Sequence, residues 1–278
     1  MDARKPTRVP AASFAGWSTL VGLGARARVP GPLRAPAYRA FARAVGADLA
    51  EVELSLGAYD TFGDFFARKL RAGARTVDAA ERAVIAPCDG VVAAIGIAAG
   101  GELVQAKGIH YQLDDLLVDA RAARRLEGGA YATIYLSPRD YHRVHAPLGG
   151  RLVAYDYVPG ELWPVNPKVA ARRAGLLARN ERVVIWLETR VGRVAVVMVA
   201  ATGVGNMRLA HHGDSVTWRH AGELRRVELD EPIRAGDELG AFRLGSTVVM
   251  VMPPGAAELG ASVGQVVRFG ERLGLVLS

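Results

Sequence analysis

Apolar and polar positions follow different patterns in the two parts of this chain, and the change comes near residue 80. Before it, apolar residues recur at the spacing of a helix. The longer stripe, within residues 35–56, consists of Tyr38, Phe41, Val45 and Leu49. A shorter stripe runs from Phe62 to Leu70. The pattern therefore predicts a helical N-terminal part.

Beyond residue 80, short apolar runs alternate with Gly and Pro, which is typical of β-strands. The clearest runs are Val91–Ile97, Ala132–Leu136, Val183–Leu187, Val194–Ala201 and Thr247–Met252. Few long helical stretches separate these runs, which argues against a doubly wound α/β sheet. The sequence predicts an α+β fold, with a helical region over 1–80 followed by a β-rich, largely antiparallel domain over 81–278.

The N-terminal region holds most of the excess positive charge. The net charge of the chain is +7, and residues 1–48 contain eight Lys and Arg against two Asp. Phe14, Trp17 and Val21 recur at helical spacing, which is typical of a helix lying in a membrane surface. Two other interpretations of this region remain open: a solvated basic tail, and a helix packed on its own domain. Residues 9–25 are too rich in Ala, Gly and Ser for a spanning helix.

Composition excludes several kinds of site. Cys88 is the only cysteine, so an intrachain disulfide and a thiolate metal cluster are both ruled out. The histidines show no zinc-binding spacing, and we expect no metal. A single cysteine suits a reducing, cytoplasmic setting. No nucleic-acid-binding motif accompanies the basic residues, so we expect no nucleic-acid partner.

Residues 135–145 are dense in functional groups. Ser137 followed by Pro138 favours a helix start, with the serine as cap. One helical turn would then place His142 and His145 on a common face. Imidazoles presented together suggest proton transfer near neutral pH. For an isolated pair, two buried and hydrogen-bonded histidines are the simpler interpretation.

Two further polar residues stand where apolar runs begin. A carboxylate at Asp89 can orient a histidine, although an aspartate before a glycine is commonly just a turn residue. Ser246, if activated by a base, can attack the uncrowded carbonyl of Gly245 and turn that amide into an ester. A polar turn entering a strand is the simpler interpretation. Ser262 lies in a G-x-S-x-G pattern, but a strand pattern follows it instead of the helix that a hydrolase elbow needs.

Taken together, these segments resemble the bacterial, membrane-associated type of the phosphatidylserine decarboxylase family, from about residue 60 to the C-terminus. Each segment alone is weakly specific, but their shared order is highly specific. The matching segments are residues 62–75, 86–90, 107–113, 135–147, 159–167, 180–182 and 244–247.

The resemblance implies a role for each candidate residue. Asp89, His145 and Ser246 would form a triad for self-cleavage at the bond between Gly245 and Ser246. His145 would be the base, and Asp89 would orient it. His142 would serve the decarboxylation, as proton donor or substrate contact.

The resemblance also implies the products and the cofactor. Cleavage would give a β chain, 1–245, and an α chain, 246–278, that stay associated. Ser246 would become a covalent pyruvoyl group, and this pyruvate-type cofactor would form a Schiff base with the amine of phosphatidylserine. The group would take up the electrons released with carbon dioxide, leaving phosphatidylethanolamine.

A lipid substrate implies a place of action as well. We expect peripheral attachment to the cytoplasmic side of the cell membrane, on an anionic lipid surface; whether the protein is a homodimer stays open. The alternative function is a serine hydrolase using the same Asp89, His145 and Ser246. A non-catalytic β-rich carrier is the second alternative.

Overall fold

The computed structural model describes residues 24–106, 108–201, 207–212, 223–243 and 246–277. The predicted surface helix around Phe14 to Val21 lies outside them, as do Lys107 and Gly245. Among the described residues, no helix is long and apolar enough to cross a membrane.

Short helices stand mainly in the first half of the chain, and strands make up most of the remainder. The helices are α1 (Gly31–Val45), α2 (Phe62–Phe66), α3 (Leu113–Leu117), α4 (Ala120–Leu126), α5 (Pro167–Ala170) and α6 (Leu176–Arg179). The strands are β1 (Ala83–Ile85), β2 (Gly90–Ile97), β3 (Glu102–Ala106), β4 (Ile109–Gln112), β5 (Gly129–Leu136), β6 (Arg143–His145), β7 (Gly150–Val158), β8 (Arg182–Thr189), β9 (Gly192–Ala200), β10 (Met207–Leu209), β11 (Arg225–Ile233), β12 (Glu238–Phe242), β13 (Ser246–Pro254), β14 (Ala257–Leu259), β15 (Val266–Val267) and β16 (Arg272–Val276).

An eight-stranded sheet forms the body, in the order β11-β7-β8-β9-β13-β5-β2-β15. Its neighbouring strands all pair antiparallel. Smaller sheets join β1, β16 and β14, and β10, β12 and β6. The predicted α+β class with a β-rich, largely antiparallel body is confirmed. The division at residue 80 stays a prediction, although α2 ends at Phe66 and β1 begins at Ala83.

Strand β13 is apolar on both faces because it lies inside the sheet with a core on each side. Val248 and Met250 face one buried cluster, and Val249 and Val251 face another. Burial of such side chains stabilises the fold by about 1.5–3 kcal/mol each. The two cores therefore explain the continuous apolar run after Ser246. A strand with one solvent-exposed face would instead alternate apolar and polar residues.

Helix α1 is shorter at its C-terminal end than the apolar stripe predicts. Gly46 takes a left-handed conformation, with φ of 75°, and its N–H bonds to the carbonyl of Ala42. Glycine tolerates this conformation and ends the helix there. Leu49 therefore lies beyond α1, and the prediction of one helix to residue 56 was wrong.

Helix α2 attaches the N-terminal part to the sheet domain. The ring of Phe65 stacks on Tyr38 of α1 at 4.6 Å. On the other side, Phe66 contacts His142 at 4.1 Å between ring centroids. Nε of Arg143 donates to the carbonyl of Ala67, just after α2. The N-terminal helices therefore pack directly against the region that the sequence marks as chemically active.

Candidate functional site

The segment before β6 is a turn, so the predicted helix start at Ser137 was wrong. The carboxylate of Asp140 accepts hydrogen bonds from the N–H and the hydroxyl of Ser137, each at 2.7 Å. These bonds close a tight turn, and the chain then enters strand β6. In an extended chain an odd spacing places side chains on opposite faces. His142 and His145 accordingly have different surroundings.

His142 is fully buried against Phe66. Its Nδ1 lies 2.8 Å from the carbonyl oxygen of Asp140. Because a carbonyl only accepts, Nδ1 carries the proton and Nε2 keeps its lone pair. Nε2 has no hydrogen-bond partner among the described residues. Burial lowers the pKa of His142 to about 3, so the ring is neutral at pH 7.

His145 is held on three sides. Its Nδ1 donates to the carbonyl of Gly236 at 2.8 Å, so Nε2 is again the unprotonated nitrogen. The hydroxyl of Tyr141 donates to Nε2 at 3.1 Å. Phe269 stacks on the ring with 3.6 Å between centroids. Burial lowers the pKa of His145 to about 4. The ring is therefore neutral and oriented, as a general base requires.

Asp89 lies beside this cluster, but its hydrogen bonds go elsewhere. One carboxylate oxygen accepts from the backbone N–H of Phe269, and the other from Arg75, each at 2.8 Å. Arg75 also pairs with Glu51. Both ring nitrogens of His145 have other partners, so the structure forms no Asp89–His145 hydrogen bond. Asp89 fixes the backbone of Phe269, whose ring covers the histidine.

Ser246 begins β13 at the centre of the sheet. It lies opposite Leu136 of β5 and Ala200 of β9. The residue is fully buried, and its Oγ has no hydrogen-bond partner among the described residues. The N–H of Phe242, four residues earlier, bonds to the carbonyl of His142 at 2.8 Å. The main chain thus links the candidate nucleophile to the histidine segment.

Two cavities lie near these residues. One, of about 230 Å³, is lined by charged side chains, including Arg68, Arg75 and Asp89. The other, of about 220 Å³, is mainly apolar and is lined by Tyr135 and Thr247, among others. Within the described ranges, no cluster of three or more His, Cys, Asp or Glu side chains is arranged to hold a metal ion.

Four residues that shape this site had no role in the prediction from sequence: Arg68, Arg75, Tyr141 and Phe269. The first three lie inside or beside segments that the family resemblance already marked. Their position in those segments could therefore have indicated a role in the site. Nothing in the sequence connected Phe269 with a histidine more than a hundred residues earlier. The competing Ser262 lies in a turn between β14 and β15, and the strand that follows confirms that no hydrolase elbow is present.

The comparison with known proteins finds the same family that these segments resemble. The sequence profile described as phosphatidylserine decarboxylase matches residues 62–275. A protein of Myxococcus xanthus named phosphatidylserine decarboxylase proenzyme is 44% identical over 261 residues, covering 93% of each chain. A protein of the same name from Anaeromyxobacter is 48% identical over 263 residues, covering 92% of this chain and 93% of the relative.

Proposed function

The chain belongs to the phosphatidylserine decarboxylase family, and from this premise we propose that it decarboxylates phosphatidylserine after cleaving itself between Gly245 and Ser246. The observation that carries the proposal is the setting of Ser246. A fully buried hydroxyl without a partner, at the start of a central strand, is costly to keep for structure alone. Serine in this position supplies the nucleophile that self-cleavage needs.

His145 is the proposed base for this step. Its neutral ring presents the lone pair of Nε2, and the bond from Nδ1 to Gly236 fixes this tautomer. Nε2 would leave the Tyr141 hydroxyl and take the proton of Ser246 as Oγ attacks the carbonyl carbon of Gly245. The amide would become an ester, with the proton passing to the nitrogen of Ser246. Elimination would then break the Cβ–Oγ bond, leaving Oγ in the new carboxylate of Gly245 and a dehydroalanine at position 246. Water would convert this residue to the pyruvoyl group and release its nitrogen as ammonia. Asp89 supports the base indirectly, through Phe269.

The residues around Ser246 fit a pyruvoyl group made from that serine. The unpartnered Oγ is the atom removed during conversion, and Nε2 of His142 is a second unpartnered polar atom in the segment linked to β13. The pyruvoyl group would supply the electrophilic carbonyl that binds the substrate amine and accepts the electrons released with carbon dioxide.

The neutral state of His142 favours one of its two expected roles. With a pKa of about 3, its Nε2 is unprotonated at pH 7 and accepts hydrogen bonds. A substrate ammonium is a suitable donor for this nitrogen. We therefore assign His142 to substrate contact, and a role as proton donor would require substrate binding to raise its pKa.

The position of β13 supports the association of the two chains after cleavage. The α chain, 246–278, would begin with this strand, which pairs on both sides with strands of the β chain. Strands β15 and β16 also pair with β2 and β1 of the β chain. Separation would expose both buried clusters, so the chains would remain together without a covalent bond.

The apolar cavity favours a lipid over a soluble amino acid as substrate. It lies next to β13, and Thr247 is one of its lining residues. Apolar lining of this kind binds hydrocarbon, since removing apolar surface from water is favourable.

Intact-mass spectrometry tests the proposal together with an assay of carbon dioxide release from phosphatidylserine. We expect two chains that meet at residue 246, with the α chain lacking a free amine. Ser246→Ala should abolish both cleavage and carbon dioxide release, whereas Ser262→Ala, in an exposed turn, should change neither. An active protein with an intact chain of 29.5 kDa would refute the proposal. Labelling of Ser246 by a serine-directed phosphonate would instead support a hydrolase.

We further propose that helix α1 binds an anionic membrane surface. It carries Arg34, Arg39 and Arg43 and no acidic residue. Arg39 and Arg43 are exposed, and Leu33 nearby is 58% exposed. Each basic residue near an anionic surface contributes about 1 kcal/mol. A homodimer stays a prediction that none of these observations tests.

Vesicle co-sedimentation tests the membrane proposal. Changing Arg39 and Arg43 to Glu should weaken binding to anionic vesicles by at least about tenfold, because two attractive charges become repulsive. The same change at Arg121 and Arg125, an exposed pair with the same spacing on α4, is the matched control. Equal losses in both variants would show that only net charge matters and would count against α1.

A further inference from the structure

Three guanidinium nitrogens beside the charged cavity lack acceptors. Arg68 is 3% exposed, and its Nε and Nη1 have no hydrogen-bond partner among the described residues. Nε of Arg75 also has no partner there. Both residues line the cavity of about 230 Å³. Buried donors without acceptors are unfavourable, so both arginines would gain by turning these buried nitrogens toward an acceptor in the cavity.

The carboxylates of the cavity are already engaged. Asp89 and Glu51 are held by Arg75. Asp140 accepts the two hydrogen bonds from the turn at Ser137, and Asp48 accepts from the backbone N–H two residues later. Arg68 is buried in the same cavity and forms no ion pair with these four carboxylates. Its Nη2 donates to backbone carbonyls.

Arg68 is also coupled to the candidate site. Its Nη2 lies 3.4 Å from the carbonyl oxygen of Asp140, the same atom that binds Nδ1 of His142. The nearby positive charge of Arg68 contributes to lowering the pKa of His142. An anion on Arg68 would therefore sit next to the histidine that we assign to substrate contact.

We propose that Arg68 binds the phosphate of the substrate headgroup. This inference rests on the proposed function. A guanidinium binds phosphate oxygens through charge-assisted N–H donors, and Nε and Nη1 of Arg68 have no acceptor of their own. The substrate carboxylate is the poorer choice, because an ion pair would stabilise the charge that decarboxylation must remove. The phosphate keeps its charge throughout, so binding it does not raise the barrier.

A phosphate contact through Arg68 should affect binding more than catalysis. Interactions that are equal in ground state and transition state affect KM and leave kcat unchanged. Arg68→Lys keeps the charge but loses the separate Nε and Nη1 donors, and we expect KM for phosphatidylserine to rise about tenfold. Arg68→Gln loses both, and we expect about a hundredfold rise. In each variant kcat should stay within about threefold of the parent, with self-cleavage complete.

Calorimetry on the full chain gives a readout that does not depend on turnover. The probes are glycerophosphoserine, inorganic phosphate and serine, which keeps the amine and the carboxylate but has no phosphate. Glycerophosphoserine should bind at least about tenfold more tightly than serine, and Arg68→Gln should remove this difference. The control is Arg71→Gln, which changes an exposed arginine of the same segment that does not line the cavity.

Several outcomes would overturn the assignment. One is an unchanged KM in fully cleaved Arg68→Gln; another is equal binding of glycerophosphoserine and serine to the parent chain. The second needs no variant, so it decides the matter even if Arg68 variants fail to fold. Binding of inorganic phosphate that glycerophosphoserine does not displace would indicate a free-phosphate site and overturn the headgroup assignment. Binding that depends on Arg68, in a parent chain that releases no carbon dioxide, would refute only the proposed function.

Discussion

Acidification should destabilise this protein, because two buried histidines resist protonation in the folded state. His142 and His145 have pKa values of about 3 and about 4, and burial is the main cause of both shifts. An unfolded histidine titrates near 6.5. Below that pH the unfolded chain binds protons and the folded chain does not. The stability is therefore fully present above about pH 6.5 and is lost as the pH falls towards the folded values.

The magnitude follows from the two shifts. Between pH 7 and pH 5, each histidine should remove about 2 kcal/mol from the free energy of unfolding, or about 4 kcal/mol together. That is a large part of the 5–15 kcal/mol typical of folded domains. The interval lies above the ordinary range of carboxyl groups, so Asp and Glu contribute less there.

Urea unfolding from pH 5 to pH 8 measures this effect. The Ser246→Ala chain should be used, because a single chain refolds without a partner. Tryptophan fluorescence and circular dichroism must give the same transition for a two-state treatment. His142→Asn and His145→Asn should each lower the loss between pH 7 and pH 5 by about half, whatever they do to the absolute stability.

His110 supplies the control, since its side chain is 45% exposed. His110→Asn, measured in the same way, shows how much of the change follows from replacing any one histidine. If the double variant at His142 and His145 loses as much stability on acidification as the parent, the two rings are not the cause. That result would also remove the argument that both rings are neutral at pH 7.

Three further predictions concern the same site. Tyr141→Phe removes the donor to Nε2 of His145, a bond worth about 1 kcal/mol. Self-cleavage, followed by gel over time, should be about fivefold faster at pH 7. The acid limb of its pH–rate profile should move to higher pH. Gly90→Ala should prevent cleavage and lower stability by more than about 2 kcal/mol in urea, because its φ is +154° and the added Cβ would lie 2.4 Å from the carbonyl oxygen of Tyr135. Arg75→Met leaves Asp89 without its cation and Glu51 with only Arg268, 3.7 Å away, and should cost about 3 kcal/mol. A double variant with Glu51→Gln should recover part of it, and no recovery would contradict the ion-pair account.

The sequence by itself determined the local features of this protein. The five apolar runs predicted β2, β5, β8, β9 and β13 of the central sheet, because both faces of a strand such as β13 are buried and its positions after Thr247 are apolar. It also marked Asp89, His142, His145 and Ser246. Each alone had a simpler structural interpretation, but their segments stand in the order that a known family shows. Periodicity and segment order carry this information without any knowledge of long-range contacts.

The tertiary structure decided how these residues are held. The turn at Ser137 replaced a predicted helix because the carboxylate of Asp140 closes it, and this separated the two histidines. Asp89 bonds to a backbone N–H 180 positions away, and that partner cannot be read from local pattern. The lowered pKa values and the unpartnered donors of Arg68 likewise follow from burial by distant segments. Chemistry of this kind depends on desolvation, and only the packed chain determines which polar groups lose water.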